Sequence, residues 1–328
     1  MSWSVRTQAR TWPMKEQFAI ARGVQDEQTA LQVWITDGAG NVGTGEACGI
    51  PYRGETPATM LAQIEEVRPE IDQGLTRPAL LDLLPAGGAR FALDSALWDM
   101  AAKRDGLDPF EVAGVKARPV VIDITVGIRP VPAYEATARA HAAYPVLKLK
   151  VDARDPLACI ASARRGAPTS RFIVDPNQSW TIDMVTALGP DLARLGVVLL
   201  EQPIPLGDEA GLDGLNLAVP LCADELVDTI ADLDKAEGRF QYVNIKLDKC
   251  GGLTAGLAFA QVAKARGFGL MVGCMAGSSL AMAPAMVLAQ HCEFVDLDGP
   301  LLHTTDHEHG FVYNDGLVER PHSPMLWG

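Results

Sequence analysis

The sequence predicts a (β/α)7β barrel of the TIM type, covered by an α+β capping domain, and the first evidence is an even spacing of polar residues. The steps between them are 25, 26, 23, 22 and 50 residues, and the last is two steps long. The six residues are Lys150, Asp175, Glu201, Asp224, Lys246 and Asp296. A strand, a crossover helix and their loops take roughly this many residues. Because the carboxyl ends of barrel strands converge on one face, these side chains should meet there.

A short apolar run precedes each of these residues, which is the second observation. Residues 172–174 lead into Asp175 and residues 197–200 lead into Glu201. Such runs are typical of parallel strands that are covered on both faces. They predict eight strands near residues 120, 147, 173, 199, 222, 244, 271 and 295, the first covering 120–126. Helix-like stretches between them cover 133–143, 157–165, 183–194, 229–237 and 253–266.

The length of the chain is the third observation. Its 328 residues exceed the roughly 250 of a bare barrel, so a further domain is expected. Residues 1–116 should form the capping domain, residues 300–328 should return to it, and residues 117–299 should form the catalytic barrel. Within the cap, the turn signal at 37–40 predicts a hairpin, and 57–71 and 89–104 predict helices.

Composition excludes several classes of partner. The net charge of −13 argues against nucleic acid, because phosphate binding needs a basic surface. Residues 267–290 carry no charge, but four glycines, two serines and Pro284 argue against a membrane span. Six cysteines without close pairing indicate reduced thiols, and no signal peptide is recognised, so we expect a cytoplasmic enzyme.

The polar residues at the strand ends predict a metal-assisted reaction. If the strands close in order, Asp175, Glu201 and Asp224 are neighbours, and three carboxylates repel one another unless a cation binds them. A set of oxygen ligands favours a hard ion such as Mg²⁺. Lys150 and Lys246 lie four positions apart in a ring of eight, on opposite sides of the mouth. Two opposed bases and a metal can remove a proton from one face of a carbon beside a carboxylate and return it to the other.

Simpler interpretations compete with this one. A single charged residue at a strand end is usually a cap or a surface group, but five matching residue types at consistent spacing and in the expected order are much harder to explain in that way. A catalytically silent metal-binding barrel used for interaction is a second alternative. The polar cluster at 303–309 is interpreted as a solvated return segment rather than a metal site, since adjacent loop positions seldom converge on one ion. Residues 43–46 are interpreted as part of a hairpin turn.

Several motifs also resemble a known family over nearly the whole chain. They are FAIARG at 18–23, GTGE at 43–46, LPAGGAR at 84–90, ALD at 92–94, KLK at 148–150, VDPNQ at 174–178, LEQP at 200–203, CADE at 222–225, NIKLDKCGG at 244–252 and DLDG at 296–299. On these motifs the chain resembles the enolase superfamily, in its muconate-lactonizing subgroup, and within it the dipeptide epimerases.

This resemblance implies roles for individual residues. Asp175, Glu201 and Asp224 match the ligands of one Mg²⁺ per subunit, and Lys150 and Lys246 match the two acid/base lysines. The residues that the resemblance places around the substrate are Lys148 near its carboxylate, Asp296 and Asp298 at its ammonium, Arg22 on a closing loop, and Thr125 and Cys274 in the pocket wall.

The resemblance also implies a substrate. We expect Mg-dependent epimerisation at the α-carbon of the C-terminal residue of a dipeptide, through an enediolate. The expected pair is L-Ala-D-Glu and L-Ala-L-Glu in the recycling of murein peptides, in a possible homo-oligomer. Other dipeptides, N-acylamino acid racemisation and o-succinylbenzoate synthesis remain alternatives.

Overall fold

A three-stranded antiparallel sheet begins the chain in the computed structural model, which describes residues 2–319 and 323–328. Its strands, in the order β1-β2-β3, are β1 (Ser4–Ile20), β2 (Gly23–Thr36) and β3 (Val42–Ala47). The predicted hairpin between β2 and β3 is confirmed, because Asp37 Oδ1 accepts the N–H groups of Ala39 and Asn41 at 2.9 Å. Residues 43–46 lie within β3 rather than in a turn, which corrects their interpretation.

Five helices complete this part of the chain: α1 (Pro57–Glu66), α2 (Arg68–Asp72), α3 (Arg77–Leu83), α4 (Gly88–Asp105) and α5 (Pro109–Val112). The helix predicted at 57–71 is therefore two helices, divided at Val67. The helix predicted at 89–104 is α4, which lies directly on β3. A Cβ atom added at Gly45 would stand 2.1 Å from the carbonyl oxygen of Ala92, so only glycine allows this approach.

The predicted first barrel strand divides into two. β4 (Val120–Val121) pairs with a C-terminal strand outside the barrel, whereas β5 (Ile124–Val126) is the first strand of an eight-stranded parallel sheet. The other seven strands are β6 (Val146–Lys150), β7 (Arg171–Asp175), β8 (Val197–Glu201), β9 (Leu221–Ala223), β10 (Tyr242–Lys246), β11 (Gly269–Gly273) and β12 (Phe294–Val295). They follow one another in sequence order, as predicted.

The two ends of this sheet meet. The N–H of Asp123, just before β5, donates to the carbonyl oxygen of Val295 on β12 at 3.0 Å. The interior below the mouth is filled by apolar side chains from several strands, including Ile173 on β7, Leu199 on β8 and Met271 on β11. The barrel is thus packed at its base and polar at its carboxyl end, where barrel enzymes carry their sites.

Helices separate most of the strands: α6 (Val131–Ala140), α7 (Pro156–Gly166), α8 (Ile182–Arg194), α9 (Leu233–Ala236), α10 (Leu247–Cys250), α11 (Leu253–Ala265), α12 (Ser279–Ala289) and α13 (Gly299–Leu302). The connection from β8 to β9 contains only a single 3-10 turn, Glu209–Leu212. The (β/α)7β architecture with an α+β cap is confirmed, with this one crossover reduced to a loop. No helix in residues 2–319 or 323–328 has the length and apolarity needed to cross a membrane.

The C-terminal segment returns to the first part of the chain. β13 (Leu317–Val318) pairs with β4, and the indole N–H of Trp327 donates to the carbonyl oxygen of Ser95 on α4 at 3.0 Å. The N–H of Gly328 donates to Asp99 Oδ1 at 2.7 Å. The division of the chain into residues 1–116, 117–299 and 300–328 stays a prediction.

Candidate active site

The mouth of the barrel brings the predicted strand-end residues together. Lys148 and Lys150 extend from β6, Asp175 ends β7, Glu201 ends β8, and Asp224 follows β9 directly. In the parallel register Lys150 stands beside Asp175. Side chains alternate along a strand, so the two lysines of β6 point to the same side, into the barrel.

The three predicted metal ligands are buried carboxylates, each in contact with a lysine. Lys150 Nζ lies 2.5 Å from Asp175 Oδ2, and Lys246 Nζ lies 2.6 Å from Asp224 Oδ2. Lys148 Nζ lies 2.7 Å from Glu201 Oε2. The ammonium groups thus supply part of the positive charge that three crowded carboxylates require.

Burial and neighbouring charges shift the pKa values of these carboxylates in different directions. Burial, followed by the negative charges of Asp175 and Asp224, raises the pKa of Glu201 to about 7, against the lowering effect of Lys148. Burial also opposes ionisation of Asp224, but Lys246 and Lys249 outweigh it and hold its pKa well below the usual range. Glu201 is therefore the carboxylate in this trio that lacks enough positive charge.

These residues fit a hard divalent cation by the chemistry of their donors. Asp175, Glu201 and Asp224 offer only carboxylate oxygens at the ends of adjacent strands. Burial, and after it the charges of Asp175 and Asp224, raise the pKa of Glu201, and a cation bound here would favour its ionised form. In this structure the oxygens of these three carboxylates form ion pairs with lysines and do not converge on a single point. The only trio of metal-type ligands within 4.8 Å of one another, among residues 2–319 and 323–328, is Asp123, Asp296 and Asp298.

The two predicted acid/base lysines lie on β6 and β10, the second and sixth strands of the sheet. Three strands lie between them, so the two lysines are four positions apart in a ring of eight and approach the mouth from opposite sides. Burial lowers the pKa of Lys246, but the charges of Asp224 and Glu201 outweigh that effect and hold it well above its ordinary value. Lys246 is a cation in this arrangement, and a metal that neutralises the carboxylates would make it a better base.

A second acidic group follows β12. Asp296 Oδ2 accepts a hydrogen bond from Lys148 Nζ at 2.6 Å, and Asp298 Oδ2 accepts the N–H of Thr125 at 2.6 Å. Asp123 joins them, and burial together with Asp296 and Asp298 raises its pKa well above the usual range. Burial and the charge of Asp296 raise the pKa of Asp298 to about 7. The group has an excess of negative charge and suits a cation or an ammonium.

Cys274, the other predicted wall residue, follows β11 and is partly buried. Burial, with the nearby charges of Asp296 and Asp298, raises the pKa of its thiol well above the usual range. A neutral thiol in this place can shape the pocket, but it is not an activated nucleophile.

Arg22 lies in the turn between β1 and β2. This turn is the tip of a long hairpin, and we define the tip as residues 18–23. The N–H of Ile128 donates to the carbonyl oxygen of Ala19 at 2.8 Å, which fixes this tip beside the end of β5. The guanidinium carbon of Arg22 stands 4.7 Å from the centre of the Tyr52 ring. One guanidinium nitrogen pairs with the buried carboxylate of Glu225. The structure thus brings the predicted clamp residue to the barrel mouth.

Sequence reasoning did not single out Asp123, Glu225 or Lys249. Lys249 is 1% exposed, and its ammonium donates to Asp224 Oδ1 at 2.9 Å and to the carbonyl oxygen of Val227 at 2.8 Å. In the sequence, Asp123 could have been recognised as a candidate because it is the one ionisable residue in the mainly apolar run 120–126.

The polar cluster at 303–309 is only partly solvated, which corrects its interpretation as a solvated return segment. His303 is 2% exposed and stacks on Trp12 with ring centres 6.0 Å apart. His307 Nε2 lies 3.4 Å from Oε2 of the buried Glu46. Asp306 Oδ1 accepts the N–H of Ser279 at 3.0 Å, so the segment fastens the cap to α12.

Known proteins resemble this chain over almost its whole length. It is 39% identical to the L-Ala-D/L-Glu epimerase of Escherichia coli K12, over 95% of this chain and 98% of that one. It is 40% identical to the N-acetyl-D-glutamate racemase of a Pseudoalteromonas species, over 87% and 91%. These names confirm the prediction of an isomerase.

Solved structures agree. An Agrobacterium tumefaciens enolase family member with homology to dipeptide epimerases, with bound sodium and L-Ala-L-Glu, has a TM-score of 0.96 at 37% identity, over 99% of this chain and 100% of that one. The dipeptide epimerase of Methylococcus capsulatus, complexed with Mg and L-Arg-D-Lys, has a TM-score of 0.88 at 31% identity, over 98% of each chain. The latter agrees with the predicted cofactor.

Two family descriptions cover the two parts of the chain. Residues 2–113 match the mandelate racemase / muconate lactonizing enzyme N-terminal domain, and residues 133–324 match the enolase C-terminal domain-like family. The chain belongs to the mandelate racemase and muconate lactonizing enzyme family of the enolase superfamily.

Proposed function

We propose that this protein is a Mg-dependent dipeptide epimerase that inverts the α-carbon of the C-terminal residue. The observation that carries the proposal is the strand order, in which Lys150 and Lys246 stand four strands apart with three buried carboxylates on the strands between them. A device that must reach both faces of one carbon needs this arrangement.

In this proposal Asp175, Glu201 and Asp224 hold the Mg²⁺. A bound cation would supply positive charge that offsets the negative charge gained by the substrate carboxylate when the α-proton is removed. Lys148, which contacts Glu201 at 2.7 Å and Asp296 at 2.6 Å, adds a further positive charge at the same edge of the site. Lys249 and Asn244 orient the ligands, since Asn244 Nδ2 donates to Glu201 Oε1 at 2.9 Å.

The proton is moved by the two opposed lysines. One lysine removes the α-proton from its own side, and the ammonium on the other side returns a proton to the opposite face. Each lysine starts beside a carboxylate, Lys150 at Asp175 and Lys246 at Asp224. Each strand end therefore places one base, and each base serves one stereoisomer.

The substrate we propose is L-Ala-D-Glu or L-Ala-L-Glu from murein peptides, because three of its groups have a complementary partner here. Asp296 and Asp298 suit the free ammonium, the metal and Lys148 suit the α-carboxylate, and Arg22 suits the side-chain carboxylate through its planar fork. Both the Escherichia coli relative and the ligand in the Agrobacterium structure support this choice. We place the reaction in the cytoplasm, where six unpaired cysteines stay reduced.

Isotope exchange tests the proposal directly. The purified protein is incubated with L-Ala-L-Glu and Mg²⁺ in D₂O, and the Glu α-position is followed by NMR. We expect deuterium to enter that position with inversion. Absence of exchange on this dipeptide would refute the substrate, and a screen of other dipeptides would then show whether the reaction class survives.

A second candidate, N-acylamino acid racemisation, is favoured by one observation, the 40% identity to N-acetyl-D-glutamate racemase. An N-acyl substrate has no ammonium for Asp296 and Asp298 to bind. Replacing both with Asn should lower turnover of L-Ala-L-Glu far more than turnover of N-acetylglutamate. If dipeptide turnover survived while N-acetylglutamate was the better substrate of the wild type, this second function would replace the first.

A further inference from the structure

Glu225 is a buried charge at the barrel mouth that the proposed reaction does not use. Its side chain is 1% exposed and lies next in sequence to Asp224. Oε1 accepts from the guanidinium of Arg22, and Asn177 Nδ2 lies 3.4 Å from the same oxygen. Oε2 has no hydrogen-bond partner among residues 2–319 and 323–328. Burying a carboxylate oxygen without a hydrogen-bond partner lowers the stability of the folded protein, so a functional reason for Glu225 at this position is worth seeking.

The partner of Glu225 is only half enclosed. The Arg22 side chain is 32% exposed and lies against the face of Tyr52. A guanidinium carries five N–H donors in one plane, and within the described part of the chain only Nη1 donates to a protein acceptor. Glu225 therefore holds one edge of the plane, Tyr52 covers a face, and another edge remains open to the mouth.

Attachment of the cap to the barrel does not by itself explain the Arg22–Glu225 ion pair. Arg53 already fastens the neighbouring loop, since its Nη2 lies 2.5 Å from Asp228 Oδ2 and 3.3 Å from the carbonyl oxygen of Glu225. Arg53 is more exposed, at 47%, and its carboxylate partner lies nearer the surface. Arg22 differs because its acceptor is fully buried behind it, so its orientation is set from inside the site.

We propose that Glu225 is a positioning and selectivity residue for acidic dipeptides, an inference that rests on the proposed function. It holds Arg22 so that the open edge of the guanidinium receives the side-chain carboxylate of the substrate. When Arg22 is absent, the buried charge of Glu225 repels that same carboxylate. Acceptance of an acidic residue then depends on Arg22 twice, once through attraction and once through the screening of Glu225.

A double-mutant cycle tests this inference. The wild type, Arg22→Ala, Glu225→Gln and the double variant are assayed for kcat and KM on L-Ala-L-Glu and L-Ala-L-Leu. On L-Ala-L-Glu we expect Arg22→Ala to lower kcat/KM ~100-fold. The double variant should recover ~10-fold of this loss, because Glu225→Gln removes the negative charge that repels the substrate carboxylate. On L-Ala-L-Leu the double variant should differ from Arg22→Ala by less than ~2-fold, because no carboxylate is repelled. Glu225→Gln alone should raise KM for L-Ala-L-Glu more than it lowers kcat.

The outcomes separate this inference from the proposed function. A wild type that fails to exchange L-Ala-L-Glu refutes the proposed substrate and the inference with it. A wild type that is active, with a double variant no better than Arg22→Ala or with equal recovery on L-Ala-L-Leu, refutes the inference alone. The exposed pair Arg68 and Glu65 supplies matched control variants, Arg68→Ala and Glu65→Gln. If Glu225→Gln does not fold, Glu225→Asp replaces it, since the shorter side chain keeps the charge but withdraws it from Arg22, and an equal loss on both dipeptides overturns the inference.

Discussion

Lys148→Met is the substitution whose effect on stability follows most directly from the contacts at the mouth. Lys148 is 1% exposed and its ammonium lies 2.6 Å from Asp296, 2.7 Å from Glu201 and 3.5 Å from Asp175. Removing one partner of a buried ion pair costs ~3–5 kcal/mol, because a charge is left unpaired in the interior. Since three carboxylates share this cation, we expect the metal-free protein to lose ~5 kcal/mol of unfolding free energy.

Urea unfolding with and without Mg²⁺ measures this loss. Magnesium should compensate Glu201 and Asp175 but not Asp296, so the loss caused by Lys148→Met should fall by roughly half when the cation is present. The control is Lys103→Met: Lys103 is 35% exposed, and its partner Asp99 also accepts the N–H groups of Thr44 and Gly328. This control should lose about 1 kcal/mol. Equal losses in the two variants, or no effect of Mg²⁺, would refute the reasoning.

Two further predictions concern the residues around the site, and a third concerns the metal ligands. Burial raises the pKa of Asp248 to about 7, so between pH ~4 and 7 the folded state binds a proton that the unfolded state has released, and stability falls as the pH rises through this range. Asp248→Asn should therefore raise the free energy of unfolding by up to ~4 kcal/mol at pH 8 and by almost nothing below pH ~4. Urea unfolding at each pH measures this difference. Gly45→Ala should cost ~1–3 kcal/mol or more, because its Cβ would stand 2.1 Å from Ala92 O, with Thr44→Ala as the control in a thermal melt. Mg²⁺ should raise the Tm of the wild type but raise that of Asp175→Asn much less; an identical shift would remove Asp175 from the ligand set.

The barrel could be predicted from the sequence because each of its strands is marked by residues that are close together in the chain. Most barrel strands are short apolar runs that end in a charged residue or are followed directly by one, as at Asp175 and Glu201, and the spacing between these runs predicts the order of the strands. Strand order then determines which residues are neighbours, and the parallel register at Lys150 and Asp175 agrees with that expectation.

Contacts between distant segments could not be predicted in this way. Arg22 and Glu225 are separated by 203 residues, and no periodicity relates the tip of a hairpin to the end of a barrel strand. Val120 and Val121 have the composition of a barrel strand, yet they pair with Leu317 and Val318, because the barrel strand begins only at Ile124. Asp123, at the junction, was missed for the same reason.

The central claim is that two lysines act from opposite faces of one carbon, and single-lysine variants test it most directly. Lys150→Ala and Lys246→Ala are each incubated with L-Ala-L-Glu and with L-Ala-D-Glu in D₂O with Mg²⁺, and α-proton exchange is followed by NMR. We expect each variant to retain exchange with one epimer only, and the two variants to retain opposite epimers. If both variants retained the same epimer, the two amines would share one side of the carbon and the account would be contradicted.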